Sequence, residues 1–449
     1  MHVTIIGGGE VGYALARALA PEHDVFVIDH DVAVGDRFTT LDVEFLAGSG
    51  TSLSVLRKAR VEHGQLFVAC TGQDEVNVVA CALANQIGSP ETICLVSKDD
   101  FLGADGGSAL LREHFGIDRV LWPEAQLAAD IVRIIQAPGA IDAEAFLDGR
   151  VRLLEYRLQA DSPLCAAPLA SVHLPPGTLV VAVKRGEQYM IPRGGTQLLP
   201  DDKVFLMGHP EPMRVLQARM VAGRQGPARQ SVTIVGGGDV GFRIAQQLDP
   251  SPDIDLRVIE SNHARGEMLA ASLSRAMVLN GDGTDLELLE AEEIGRSDVL
   301  VSVIDNDERN LFASLIARQL GVRKIISRVS KPGSLRLFER VGIDVPLSAR
   351  GAAVASIVHG VKGGRSRLLA VLEEGQAEIL EITVPSGFVA TPLVDLKAPP
   401  DSIVGAIQRR DQVIVPHGHD RIEGGDSLLV FTTAASADMV RDFFVPRAG

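Results

Sequence analysis

The sequence predicts an α/β fold with two doubly wound parallel-sheet domains, each followed by a small β-rich α+β domain. Three observations predict it. The chain repeats itself, short apolar runs alternate with helical periods in the first part of each repeat, and a glycine-rich turn follows the first apolar run. In the second part of each repeat, short apolar runs lie between Pro, Gly and Asp turns, as in a small β-rich domain.

The repeat is clearest at its two starting points. Residues 3–12 read VTIIGGGEVG and residues 232–241 read VTIVGGGDVG, with eight identities in ten positions. GSGT at 48–51 then matches GDGT at 281–284, and DEVN matches DERN further along, in the same order and at nearly the same spacing. The chain is therefore predicted to be two copies of a unit of about 220 residues.

Each copy is predicted to contain two domains. In the first, runs such as VTIIG, VFVID, LFVAC and TICLVS alternate with helical segments such as GYALARALA, which indicates a parallel sheet with helices on both faces. In the second, AVKRGEQYMIP at 182–192 is repeated as AIQRRDQVIVP at 406–416, and Asp202 then corresponds to Asp426. The predicted domains are residues 1–137, 138–222, 229–360 and 361–449, with a boundary at Pro138 and Gly139 and polar connections at 223–230 and 360–367.

A GxGxxG motif occupies residues 7–12 and 236–241, in each case after a predicted strand and before a predicted helix. The first glycine allows the tight turn, the second lets a diphosphate approach the backbone, and the third allows close helix packing. An acid, Asp29 or Glu260, ends the next predicted strand, where a carboxylate accepts hydrogen bonds from ribose hydroxyls. We predict two Rossmann-like nucleotide sites, site 1 and site 2; the alternative is that the glycines serve only tight turns.

Further residues are predicted to reach the carboxyl edge of each sheet. The GSGT and GDGT turns follow the third strand, although a purely structural turn is an equal alternative. Asp74, Asn77, Asp307 and Asn310 are alternatively caps of the following helices. The residues predicted for site 1 are Gly7, Gly8, Gly9, Glu10, Val11, Gly12, Asp29, Thr51, Cys70, Thr71, Gly72 and Lys98; those for site 2 are Gly236, Gly237, Gly238, Asp239, Val240, Gly241, Glu260, Asp282, Thr284 and Arg328.

The two copies differ at one position where a charge matters. Arg328 of the second copy corresponds to Leu95 of the first. An arginine at the end of this strand could reach a nucleotide phosphate or a neighbouring subunit. Site 1 would have to manage without it, through Lys98, so the two sites are expected to differ in ligand or affinity.

Composition and missing patterns exclude several functions. Acidic residues outnumber basic ones by 58 to 43, which argues against nucleic acid as a partner. No apolar run approaches the roughly 18–20 residues of a membrane helix. The start MHVTIIGG does not resemble a signal peptide, so a cytoplasmic location is expected. No Tyr-x-x-x-Lys pair, Ser/His/Asp set or metal-ligand cluster is evident, so no catalytic or metal site is predicted.

The ordered features resemble a known family. The duplicated GxGxxG motif, the acid, the G-[SD]-G-T turn, D-E-x-N and LPPGTLVVAVKRG at 174–186 are similar to the tandem RCK (also called KTN) regulatory proteins of Trk- and Ktr-type potassium transporters. The resemblance covers essentially the whole chain. Two departures are Asp401-Ser402, where the family usually has Gly-Thr, and Leu95, where it often has Arg.

The resemblance implies a function for each part. The parallel-sheet domains would be Rossmann-type RCK domains and the β-rich ones RCK C-terminal domains. The chain would be a non-enzymatic, cytoplasmic regulatory subunit, peripheral on the inner face of the membrane. It would bind NAD(H) and ATP or ADP, self-associate into a tetrameric or larger ring, and gate a TrkH-, TrkG- or KtrB-like potassium channel subunit. Two alternatives stay open: an NAD-dependent oxidoreductase with a duplicated cofactor domain, and a regulator of another cation transporter, such as a proton-coupled antiporter.

Overall fold

The computed structural model describes residues 1–21, 23–88, 90–98, 101, 107–137, 139–186, 188–221, 229–361, 366–372 and 376–445. Pro138 at the predicted boundary, and residues 223–228 and 362–365 of the predicted connections, lie outside them. The chain forms two compact units, one from residues 1–129 and 231–361 and the other from residues 130–230 and 362–449. Like parts of the two copies are thus paired in space, because the first unit holds both glycine motifs.

The first half of the first unit is a six-stranded parallel sheet with strand order β3-β2-β1-β4-β5-β6. Its strands are β1 (His2–Ile6), β2 (Asp24–Asp29), β3 (Glu44–Ala47), β4 (Leu66–Ala69), β5 (Glu91–Leu95) and β6 (Arg119–Leu121). Its helices are α1 (Glu10–Leu19), α2 (Leu53–Lys58), α3 (Asp74–Gly88), α4 (Gly107–Phe115) and α5 (Pro123–Ile135).

The other half of this unit repeats that topology with the order β14-β13-β12-β15-β16-β17. Its strands are β12 (Gln230–Val235), β13 (Ile254–Glu260), β14 (Met277–Asn280), β15 (Val299–Ser302), β16 (Lys324–Arg328) and β17 (Val345–Leu347). Its helices are α7 (Asp239–Leu248), α8 (His263–Ser272), α9 (Leu286–Ala291), α10 (Asp307–Leu320), α11 (Leu335–Arg340) and α12 (Ala349–Val361).

The central strands of both sheets are mostly apolar and buried, because helices cover both faces. Every residue of β4 and of β15 is buried. In each sheet β1 or β12 stands where the strand order reverses, so the turn that follows it opens into the crevice at the carboxyl edge. The predicted fold class of doubly wound Rossmann-like parallel sheets is confirmed.

The two halves of the first unit contact each other through helices. Helix α1 packs against α12. The guanidinium of Arg243 in α7 lies 3.6 Å from the ring centroid of Trp122, just before α5, as a cation–π contact. Arg119 donates a hydrogen bond to the backbone oxygen of Ser356 in α12. These contacts bring the N-terminal ends of α5 and α12 close to the glycine turn of the opposite half.

The second unit consists of two antiparallel five-stranded sheets. The strands of one are β7 (Asp142–Phe146), β8 (Val151–Arg157), β9 (Thr178–Arg185), β10 (Gln188–Met190) and β11 (Lys203–Gly208), followed by α6 (Pro210–Val221). Those of the other are β18 (Ser366–Leu372), β19 (Ala377–Thr383), β21 (Ser402–Arg409), β22 (Gln412–Ile414) and β24 (Ser427–Thr433), with a β20 (Thr391–Pro392) and β23 (Arg421–Ile422) pair and α13 (Ala437–Phe444). This agrees with the predicted β-rich α+β class.

One apolar core joins these two sheets. Phe205 of β11 and Phe431 of β24 lie with ring centroids 5.9 Å apart. Gly405 sits at a bulge in β21, where an added Cβ would stand 2.4 Å from Sδ of Met207 in the other sheet. Phe205 and Met207 are both fully buried. The core therefore depends on residues from both copies of the repeat.

The repeated aspartates Asp202 and Asp426 have the same structural task. Asp202 is 2% exposed and accepts two hydrogen bonds from Arg185, at 2.8 and 2.7 Å, and one from the backbone N of Leu199 at 2.8 Å. In the second sheet, Nε and Nη2 of Arg409 donate to the two carboxylate oxygens of Asp426, each at 2.8 Å. Burial by itself opposes ionisation, but the hydrogen bonds from Arg185 and Leu199 lower the pKa of Asp202.

Among the described residues, no helix is long and apolar enough to cross a membrane.

Replacing Asp202 with alanine should lower the free energy of unfolding by about 2 kcal/mol at pH 7, because it leaves Arg185 and the Leu199 N–H without their acceptor. A folded-state pKa below the usual value makes this contribution full at neutral pH and progressively smaller below about pH 4. Urea unfolding followed by circular dichroism at pH 7 and at lower pH measures it. The exposed Asp161→Ala variant is the control, and a difference that does not shrink in acid would contradict the assignment.

Candidate functional site

The first glycine of each motif makes a turn that other residues cannot easily adopt. Gly7 has φ +101° and Gly236 has φ +104°, in the left-handed region. A Cβ on Gly7 would lie 3.0 Å from the backbone N of Thr71, and one on Gly236 would lie 3.0 Å from that of Ile304. Each turn is therefore pressed against the end of the neighbouring strand, β4 or β15.

The third glycine of each motif lets the helix lie against this turn. A Cβ on Gly12 would stand 1.8 Å from the carbonyl oxygen of Gly7, and one on Gly241 would stand 1.9 Å from that of Gly236. These distances are far below contact, and the opposing atoms belong to the backbone. The tertiary packing of α1 and α7 thus requires glycine here.

The middle glycine of each motif differs from the other two. Gly9 and Gly238 have an ordinary φ of −64°, and a Cβ on either would meet no described atom within 4 Å. Each is the N-terminal cap of its helix, and no hydrogen bond from its side chain is possible there. Open space therefore lies in front of the N–H groups and the positive end of the helix dipole, where an anion is stabilised.

The acids at the ends of β2 and β13 brace the glycine turns. Asp29 accepts a hydrogen bond from the backbone N of Gly8 at 2.7 Å, and Glu260 accepts one from that of Gly237 at 2.7 Å. The other oxygen of Asp29 accepts from the N–H of Asp31 at 2.9 Å. The sequence predicted where these carboxylates lie, but not that they hold the turn.

The four residues offered as helix caps have another role, and that alternative is wrong. Asn310 accepts from the N–H of Ile304 and donates to the carbonyl of Arg328, and Asn77 joins Thr71 to Leu95 in the same way. Asp74 accepts from the N–H groups of Ser97 and Lys98, and Asp307 accepts from that of Ser330. These side chains tie neighbouring strand ends together at the carboxyl edge, while Asn306 caps α10.

The remaining residues predicted for site 1 lie at the same edge. The hydroxyl of Thr71 donates a hydrogen bond to Asn77, and a Cβ on Gly72 would meet no described atom within 4 Å. Burial raises the pKa of the Cys70 thiol to about 12, so this thiol stays neutral beside Gly7. Thr51 is hydrogen-bonded to Ser49 within the GSGT turn, and the ammonium of Lys98 pairs with Glu75.

At site 2 the carboxyl edge encloses a cavity of about 410 Å³. It is lined by Ser97, Glu124, Val235, Gly236, Gly238, Asp239, Val240, Ile259, Glu260, Ser261, Gly281, Gly283, Val303, Ile304, Asp305, Arg309 and Arg328. The structure therefore brings together most of the residues predicted for this site. Gly237 donates its N–H to Glu260, and Gly241 packs against the carbonyl of Gly236. The hydroxyl of Thr284 donates a hydrogen bond to Asp282 within the GDGT turn.

Two arginines, Arg309 and Arg328, line the site 2 cavity, and a third, Arg265, contacts its glycine turn; only Arg328 was predicted. Each has an aspartate partner: Arg265 with Asp239 at 3.2 Å, Arg309 with Asp282 at 2.7 Å, and Arg328 with Asp305 at 3.0 Å. Arg265 also donates to the carbonyl of Gly237 at 2.9 Å. Hydrogen bonds from Thr284 and then from Arg309 lower the pKa of Asp282, so this partner is ionised.

All three arginines correspond to apolar residues in the first copy. Val34 stands five residues after Asp29, as Arg265 stands five residues after Glu260. Val76 in DEVN corresponds to Arg309 in DERN, and Leu95 corresponds to Arg328. The difference between DEVN and DERN is visible in the sequence. Its importance becomes clear only from the ion pair of Arg309 with Asp282 in the GDGT turn.

Each site also receives a residue from the opposite half of the first unit. Glu124 of α5, with Ser97, lines the cavity of site 2. Arg350 of α12 forms an ion pair with Glu10, the first residue of α1 in site 1. Sequence spacing could not find these residues, because they approach the sites only through packing between the two halves.

The fold defines a protein with two Rossmann-type domains in tandem on one chain, each with a glycine turn at the carboxyl edge of its sheet and each followed by a β-rich domain. Residues 3–123 and 232–349 match the TrkA-N domain, and residues 153–221 and 378–445 match the TrkA-C domain. The chain belongs to the family of Trk system potassium uptake proteins TrkA.

Two relatives illustrate the likeness. TrkA homolog 1 of Methanosarcina mazei is 37% identical over 453 residues, which cover 99% of this chain and 100% of that protein. The TrkA homolog of Archaeoglobus fulgidus is 34% identical over 445 residues, with 99% and 100% covered.

Solved structures share the fold. The crystal structure of the GsuK RCK domain is 18% identical with a TM-score of 0.61, covering 99% of this chain and 95% of that one. The GsuK channel bound to NAD is 19% identical with a TM-score of 0.61, covering 99% and 79%.

The glycines of the first motif should separate into two classes. Gly12→Ala should lower the free energy of unfolding by about 3 kcal/mol, because its Cβ overlaps the Gly7 carbonyl. Gly9→Ala should change it by less than about 1 kcal/mol, since the space is open. Gly9→Asp should leave the fold intact and abolish NAD⁺ binding to site 1 by calorimetry. Equal destabilisation by Gly9→Ala and Gly12→Ala would contradict this geometry.

The arginines should make site 2 the stronger site for phosphate-rich ligands. In a Gly9→Asp background, which leaves site 2 as the measured site, Arg309→Val and Arg328→Leu should each weaken ADP binding about tenfold, because each removes one charged hydrogen bond to phosphate. Calorimetry measures the affinity. Arg323→Ala, a control that removes an ion pair with Asp298 instead, should bind ADP normally. Unchanged ADP affinity in both arginine variants would contradict the expectation.

Proposed function

We propose that this protein is a cytoplasmic, nucleotide-binding regulatory subunit that controls a membrane-embedded potassium channel from the inner face of the membrane. Its full-length relatives are named Trk system potassium uptake proteins, and the matches run along nearly the whole of each chain. The observation that carries the proposal is the open space at Gly9 and Gly238, in front of two helix N-termini. Protein packing does not require glycine there, whereas a bound diphosphate does.

The proposed ligands are NAD(H) and ATP or ADP. Asp29 and Glu260 stand at the ends of β2 and β13, where a carboxylate suits an adenosine ribose with a free 2′-hydroxyl and disfavours a 2′-phosphate. One protein of similar fold, the GsuK channel, has been solved bound to NAD, which supports NAD as one of the ligands. Gly8, Gly9 and Gly12 in site 1, with Glu10, Val11, Thr51, Cys70, Thr71, Gly72 and Lys98, are the proposed ligand contacts or supports, with the equivalent set in site 2.

The proposed role of the ligand is regulation rather than catalysis. The walls of the site 2 cavity come from both halves of the first unit, so a ligand there touches Glu124 of one half and Asp239 of the other. A ligand with different affinities for two arrangements of these halves shifts the population between them. The size of the shift is limited by that difference in affinity.

We further propose the assembly in which this shift would act. The proposed domains are RCK domains at 1–137 and 229–360 and RCK C-terminal domains at 138–222 and 361–449; the TrkA-N matches at 3–123 and 232–349 and the TrkA-C matches at 153–221 and 378–445 support this order of domains. Copies of the chain would form a tetrameric or larger ring beneath a TrkH-, TrkG- or KtrB-like pore subunit. Nucleic acid is not a proposed partner, given the net charge of −15.

Uptake of Rb⁺, a tracer for K⁺, tests the function. Deleting the gene from its host should slow uptake and impair growth at limiting K⁺, and a plasmid copy should restore both. A Gly9→Asp/Gly238→Asp copy should not restore nucleotide-dependent uptake, because both diphosphate spaces are filled. Gly195→Asp, at an exposed glycine with open space, is the matched control.

Two outcomes would overturn the proposal. One is unchanged Rb⁺ uptake after deletion. The other is a defect in proton-coupled antiport with Rb⁺ uptake intact, which would assign the chain to a different transporter.

A further inference from the structure

Site 1 is poor in positive charge of its own. The positions that carry arginines in site 2 are Val34, Val76 and Leu95, and the ammonium of Lys98 is held by Glu75. Two carboxylates, Asp29 and Glu10, lie close to the glycine turn. A diphosphate at the N-terminus of α1 would meet the helix dipole and backbone N–H groups, but also the negative charge of Glu10.

The other half of the first unit places a positive charge, that of Arg350, beside site 1. Arg350 is the second residue of α12, and its guanidinium forms an ion pair with the carboxylate of Glu10. Helix α12 packs along α1, so the arginine is held at the mouth of site 1 by the interface between the two halves. Its side chain is still 49% exposed, which leaves the guanidinium room to move from Glu10 to a neighbouring anion.

The equivalent position in the first copy supports the same geometry independently. Glu124 is the second residue of α5, as Arg350 is of α12, and it lines the cavity of site 2. The same helix position thus faces the opposite half's site in both copies. The charge at this position is reversed between the copies: site 1, which lacks the three arginines, receives an arginine, and site 2 receives a glutamate.

We propose that Arg350 is a residue of site 1, where its guanidinium binds the diphosphate of the nucleotide and leaves Glu10. This inference rests on the proposed function and deepens it. Site 1 is then completed by both halves of the unit, and its affinity depends on α12 staying docked on α1. By linkage, a nucleotide in site 1 stabilises that docking. Guanidinium binds phosphate well because its planar fork of donors matches two phosphate oxygens.

The test uses the full chain with Gly238→Asp, which places a carboxylate in the diphosphate space of site 2 at a position where a Cβ meets no described atom within 4 Å. Calorimetry with NAD⁺ and with ADP then reports site 1. Arg350→Met keeps the aliphatic stem and removes the charge, so it should weaken binding of both ligands about tenfold. Arg340→Met, at an exposed arginine at the end of α11, is the matched control and should have no effect. Thermal unfolding of each variant confirms that it is folded.

A second variant separates phosphate binding from simple neutralisation of Glu10. In a Glu10→Gln background, Arg350→Met should still weaken ADP binding about tenfold, because the lost contact is to phosphate. Loss of the effect in this background would overturn the proposal, since Arg350 would then act only on Glu10. Binding of adenosine, which lacks phosphate, should be unchanged by Arg350→Met, and an equal loss for adenosine would also overturn it.

The outcomes for the two proposals are distinct. If the Gly238→Asp parent and the unmodified chain bind neither NAD⁺ nor ADP, the proposed function loses its nucleotide sites and this inference falls with it. If the parent binds and Arg350→Met binds equally well, the role of Arg350 is overturned while the proposed function stands.

Discussion

The contact on which both sites depend is the approach of the third glycine of each motif to the carbonyl of the first. Less than 2 Å would separate that oxygen from a Cβ on Gly12 or Gly241, so only glycine lets α1 and α7 start where they do. Because the helix begins there, its first N–H groups have no side-chain cap, and the space beside Gly9 or Gly238 is open. The carboxylates of Asp29 and Glu260 then fix the turn from the other side.

The two copies share the residues that fix the backbone of the glycine turn and differ in the charged residues around it. The turns, the bracing acids and the asparagines that tie the strand ends occur in both halves with nearly the same distances. The pairs that Arg185 and Arg409 form with the buried Asp202 and Asp426 match in the same way. The residues around the open space diverge instead, since Val34, Val76 and Leu95 stand where site 2 has arginines. The two sites therefore differ in the charge of the residues around them.

Pairing of like parts gives the chain a means of coupling its sites. Each half of the first unit places the second residue of a long helix, Glu124 or Arg350, at the glycine turn of the other half. A ligand at either turn is thus in contact with, or close to, residues of both halves. Binding energy can bias their arrangement only to the extent that these contacts differ between arrangements. Because Glu124 and Arg350 have opposite charges, a ligand meets a negative residue of the opposite half at site 2 and a positive one at site 1.

The duplication, the doubly wound sheets and the position of the glycine turns could all be predicted from the sequence, because apolar periodicity and GxGxxG spacing are local patterns. It also located Asp29, Glu260 and Arg328, which follow strands whose ends must share one edge of a sheet. The other site residues are recognised only in the folded chain. Asp74, Asn77, Asp307 and Asn310 could cap helices as far as spacing shows, and only the proximity of adjacent strand ends makes them ties between strands. Arg265, Glu124 and Arg350 belong to no motif, because their roles arise from contacts between segments far apart in the chain. Arg309 lies in the DERN motif, but only its ion pair with Asp282 shows its role.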